Sequence, residues 1–105
     1  MLRVLLPGGR SVSFSLRQLR ALPQATLEVA GTMVSGPTLD EILEAAGVGE
    51  FRTVTLVGKN SVDLTNLDIS PQVILRLADH SRLDLVGGTI PPAEWVKDVH
   101  EIRVR

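Results

Sequence analysis

Cysteine is absent from this chain of 105 residues. With it go disulfides, thiolate metal sites and thiol nucleophiles. Aromatic residues are almost as scarce: Phe14, Phe51 and Trp95 are the three, and tyrosine is missing. A core must therefore be built from Leu, Val and Ile. No apolar run approaches the ~20 residues that a helical membrane span needs. The opening stretch 1–6 is too short for a signal peptide and leads straight into Pro7-Gly8-Gly9. Charge of one sign is lacking too, since 11 Lys and Arg face 12 Asp and Glu for a net −1. Nucleic-acid binding draws on a basic face that neutralises several phosphates. Here the basic residues are scattered, the densest groups being Arg17/Arg20 and Arg103/Arg105. Neither nucleic acid nor a membrane is expected as a partner, and the cytoplasm is the expected location.

What is present is the composition of a folded globule, 44% apolar and 22% charged. A chain of this size can bury roughly 60–70% of the surface it exposes when unfolded, enough for one core without staples. One domain over 1–105 is expected. Its best-defined stretch is 36–48. Thr38 followed by Glu41 forms a capping-box pattern, and Asp40 and Glu41 put negative charge near the positive end of a helix dipole. Leu39, Ile42, Leu43 and Ala46 recur at helical spacing as one apolar stripe. Gly47 stands where a left-handed closing residue belongs, with Val48 able to fold back on the last turn.

Strands surround this helix. Residues 2–6 and 11–14 read as a hairpin across Pro7-Gly8-Gly9-Arg10. Ser15 and Gln18 make a second capping box, opening a turn of helix with Leu16, Leu19 and Leu22 that Pro23 stops. Residues 26–34 read as one strand, with Gly31 inside it marking a bulge or a close approach by another backbone or a ligand. Residues 52–57 and 61–65 alternate on either side of Gly58-Lys59-Asn60, so Val54 and Leu56 should share a core face with Val62 and Leu64. Residues 73–78 are nearly all apolar, as in a strand buried on both faces. After a polar turn at 79–82, Leu83-Asp84-Leu85-Val86 resumes. Then Val96, Val99, Ile102 and Val104 lead into a closing strand whose Glu101, Arg103 and Arg105 should face water. These patterns predict an α+β, mainly β domain of about seven strands and two short helices.

Leu16-x-x-Leu19-x-x-Leu22-Pro23-Gln24, a strand, and Gly36-x-x-Leu39-x-x-Ile42-Leu43-x-x-Ala46-Gly47-Val48 follow one another in a familiar order. The order resembles the oxidoreductase molybdopterin-binding domain, the sulfite-oxidase-like fold. The strand–turn–strand at Gly58, the Leu-rich strand before Asp79, Leu83-x-Leu85-Val86 and Trp95-Val96-Lys97-x-Val99-x-x-Ile102 continue it. The likeness runs from about residue 13 to residue 104. It implies an oxidoreductase in which a cysteine thiolate ligates molybdenum, a metal that soft sulfur ligands suit. By position that cysteine would fall near Ala30-Gly31, where alanine stands. It also implies an Arg beside the pterin phosphate, at the slot that Asp84 fills here, and a carboxylate repels a phosphate. The chain is also shorter than the usual domain of this family.

Other chemistry is thin. His80 between Asp79 and Ser81 cannot form a triad, which is assembled from separated elements. His100 with Asp98, joined to His80 with Asp79, offers too few ligands for a metal centre. Gly47-Val48-Gly49 follows a helix, whereas a phosphate loop precedes one. Gly58-Lys59-Asn60 is a hairpin turn, Glu41 and Glu44 lie on a wet helix face, and Trp95 is an anchor for packing. No catalytic or metal residue is expected. The sequence points to a small cofactor-free module of sulfite-oxidase-like fold, used for protein interaction or small-ligand binding through exposed strand edges, the Gly87-Gly88 region or a homodimer. The alternative is an oxidoreductase or accessory domain that keeps a molybdopterin-type cofactor, with Ala30, Gly31 and Asp84 lining its cleft.

Overall fold

The computed structural model describes residues 2–29, 31–66, 69, 73–78, 82–87 and 95–105. Two hairpins form where alternation meets a tight turn. β1 (Leu2–Leu5) pairs antiparallel with β2 (Ser11–Phe14), and β5 (Thr53–Val57) with β6 (Ser61–Thr65). β9 (Glu101–Val104) enters between them, parallel to β1 and antiparallel to β5, giving one sheet of order β2-β1-β9-β5-β6. Val54 lies opposite Leu64 and Leu56 opposite Val62, as their alternation predicts. Helix α1 (Leu16–Ala21) starts at a complete capping box between Ser15 and Gln18 and ends before Pro23.

Residues 26–34 are not one strand. They contribute to two: β3 (Gln24–Val29) and β4 (Thr32–Pro37) pair antiparallel, with Val29 opposite Thr32. Gly31, at φ +79, supplies the left-handed conformation that so tight a reversal requires. Among the described residues a Cβ there would meet nothing within 4 Å, so no other described segment crowds it. Close approach occurs instead at Gly36, whose Cβ would lie on the Leu75 carbonyl. That contact sets β4 against β7 (Val73–Ala78), which pairs antiparallel with β8 (Arg82–Gly87). The described residues thus form nine strands and two helices, against about seven strands expected.

Helix α2 (Leu39–Ala45) is built as its sequence indicates. Thr38 Oγ1 accepts the N–H of Glu41, though among the described residues the reciprocal half of a capping box is made only at Ser15 and Gln18. At the other end Gly47 takes φ +84, its N–H reaching the Glu44 carbonyl and that of Val48 the Leu43 carbonyl. This pair of bonds is a Schellman closure. Leu39, Ile42, Leu43 and Ala46 are all buried. They join Leu2, Val4, Val54, Leu56, Ile102 and Val104 from the five-stranded sheet in the main core. β7 and β8 form a middle layer. Val73, Leu75, Leu83 and Leu85 face that core, while Ile74 and Val86 pack on Val34 of β4 in a second, smaller cluster. Consecutive burial of Val73, Ile74 and Leu75 bears out a strand covered on both faces; beyond it Arg76 is exposed.

Candidate functional site

Of the three residues expected to line a cleft, Ala30 lies outside the described residues. Gly31 is exposed at the reversal between β3 and β4. Asp84 is in the middle layer, on the face of β8 opposite to Leu83 and Leu85, and only 7% exposed. Its Oδ1 accepts the backbone N–H of Asp98 at 3.0 Å.

That hydrogen bond has a structural purpose. Asp98 is the one described non-glycine residue with positive φ, at +57. Aspartate is among the few residues that tolerate this conformation, and a bonded N–H helps hold it there. The bond is bracketed by two backbone bonds, Leu85 N–H to the Val96 carbonyl and Val99 N–H to the Leu83 carbonyl. From the other side the β5–β6 turn closes on the same segment. Gly58 lies so near the Lys97 carbonyl that a Cβ would stand 2.4 Å from it. Lys59 N–H donates to that carbonyl and Asn60 Nδ2 to the Trp95 carbonyl. Residues 95–99 are therefore clamped between β8 and a hairpin turn, which aims β9 into its central slot. Trp95, half-buried, packs on both clusters, in keeping with an anchor.

No protein-family model matches the chain, and no curated protein matches it either.

The cofactor implied by the resemblance can be tested against these residues. A pterin phosphate at Asp84 would meet a carboxylate already bonded to the N–H of Asp98. No cysteine exists to ligate a metal. Neither Asp84 nor the cysteine-free sequence fits that group. His80 and Asp79 lie outside the described residues, while His100 is exposed. Among the described residues no three His, Cys, Asp or Glu side chains gather as metal ligands.

Two features escaped sequence reasoning. A groove of about 720 Å³ is lined by Asp40, Glu50, Phe51, Arg52, Asn66 and Arg105. Neither it nor a smaller one of about 230 Å³ beside Pro23 and Thr38 includes Gly31 or Asp84. The second feature is Glu101, expected in water but only 6% exposed. It stands on the face of the five-stranded sheet turned away from the core. Arg3 Nη2 donates to its Oε1 at 3.2 Å and Arg103 Nε to its Oε2. The two long side chains cover the carboxylate between them. Arg103's hydrogen bond and charge, with those of Arg3, hold the Glu101 carboxyl below its ordinary range, against the opposing effect of desolvation. Beside this triad, Thr55 Oγ1 donates to Asp63 Oδ1, and Arg105 Nη2 reaches both groups.

Proposed function

We propose that the chain is a small cofactor-free module on a sulfite-oxidase-like scaffold and that it works by contacting another protein. The observation that carries this reading is the state of Asp84. At the position where the resemblance calls for a phosphate-binding cation, a buried carboxylate is spent on holding Asp98 and, through it, the closing strand. Gly31, the other described member of the expected cleft, lies at an exposed hairpin reversal and lines neither groove. The scaffold itself is argued from the order of the capped helices, the Gly58 hairpin, the Leu-rich middle strand and the Trp95 segment, which the fold keeps as distinct, well-formed parts. Among the described residues no helix is long and apolar enough to cross a membrane.

The test is recovery of the tagged protein from its native host, followed by analysis for co-purifying protein, molybdenum and pterin. A stoichiometric protein partner or a second copy, with neither molybdenum nor pterin, is the expected result. Stoichiometric pterin, or a bare monomer with nothing bound, would contradict it.

A further inference from the structure

One face of the five-stranded sheet carries the main core. On the other face, among the described residues, Arg3, Arg103 and Arg105 are exposed, with Ser11 and Ser13 on β2 and Ser61 and Thr65 on β6 around them. Its carboxylates are Glu101, almost wholly covered, and Asp63, which is bonded to Thr55 and Arg105. The exposed charges among the described residues of this face are therefore three guanidiniums and the one carboxylate of Asp63, in a molecule whose net charge is −1.

The guanidiniums are also held in place. Glu101 receives one N–H from each of Arg3 and Arg103, and their other N–H groups have no partner among the described residues. Arg3 and Arg103 keep side-chain exposures of 58% and 56% despite that anchoring. A buried carboxylate beneath two arginine forks removes much of the side-chain freedom that docking would otherwise have to freeze. Guanidinium donors left over on such exposed side chains are of the kind that carboxylates match in pairs. A sheet face of this kind suits an extended or loop-borne acidic stretch rather than a small molecule.

We propose that this face is a docking surface for an acidic segment of a protein partner, with Arg3 and Arg103 as its anchors. The proposal rests on the reading of the chain as an interaction module. Three cations in one stripe are too few to hold a nucleic acid against physiological salt, so an acidic polypeptide is the occupant.

The probe is a short peptide of alternating glutamate and serine, titrated into the ¹⁵N-labelled full chain. Amide shifts are expected on β1, β9 and β5, with an affinity that falls as salt is raised. Replacing Arg3→Gln and Arg103→Gln together should weaken binding roughly tenfold or more, the loss of about one charge-assisted contact. Arg17→Gln with Arg20→Gln, on α1, should leave it unchanged. Shifts centred on α1, equal binding of a glutamine–serine peptide, or tighter binding of a single-stranded oligonucleotide would each overturn the proposal. Should the double variant not fold, the shift map of the wild-type chain decides alone. A native partner that still binds the Arg3→Gln, Arg103→Gln protein would overturn this surface and leave the interaction reading standing. Stoichiometric pterin would overturn that reading instead.

Discussion

Asp84 and Glu101 are the two carboxylates that the fold buries among the described residues, and they are buried for different ends. Asp84 trades water for a backbone N–H and fixes a left-handed residue. Replacing it (Asp84→Ala) leaves the Asp98 N–H without that acceptor, so unfolding free energy should drop by about 1–3 kcal/mol. Denaturant titration measures this, and an unchanged midpoint would mean that residues 95–99 are held without it. Glu101 trades water for two guanidiniums. Its carboxyl is held below the ordinary value of 4.5, so its contribution to stability is present above that pH and is lost as pH falls through the lower folded value. In a series of unfolding curves from neutral to acid pH, the wild-type chain should lose its advantage over Glu101→Gln progressively below pH 4.5. A constant difference between the two proteins across that range would show that the arginines do not stabilise the carboxylate.

At the scale of the element, α2 is the most self-determined part of the molecule. Its stripe is buried in the main core, with Leu43 at 3% exposure, and its ends are closed by Thr38 and Gly47. Leu43→Ala should therefore cost about 2–5 kcal/mol, the usual penalty for such a cavity. A midpoint that does not move would place the stripe outside the core. Features of this kind were legible in the sequence because every partner lies within a few residues: Ser15 with Gln18, Thr38 with Glu41, Leu43 with Val48. The β3–β4 reversal was less so, because a single Gly31 within alternating residues reads equally as a bulge or as a turn. Least legible were the carboxylates. Glu101 alternates with Ile102 and Val104 as a solvent-facing residue would, and its cover comes from Arg3 at the other end of the chain. Asp84 lies amid Leu83, Leu85 and Val86, and only tertiary structure brings Asp98 to it.

For the whole molecule, layering sets what is left for function. β7 and β8 are covered on one face by the main core and on the other by the β3–β4 hairpin. Of the two described residues expected at a cleft, Asp84 is enclosed within this arrangement and Gly31 is exposed at a hairpin reversal. Among the described residues, the outer face of the five-stranded sheet carries more exposed arginine than exposed carboxylate. The proposed cofactor-free contact module accounts for both observations. The most direct test is native mass spectrometry of the tagged protein drawn from its own host under gentle conditions. The account predicts a complex whose mass is this chain plus another polypeptide or a second copy, with no pterin-sized addition. A lone chain, or a chain carrying a pterin, would contradict it.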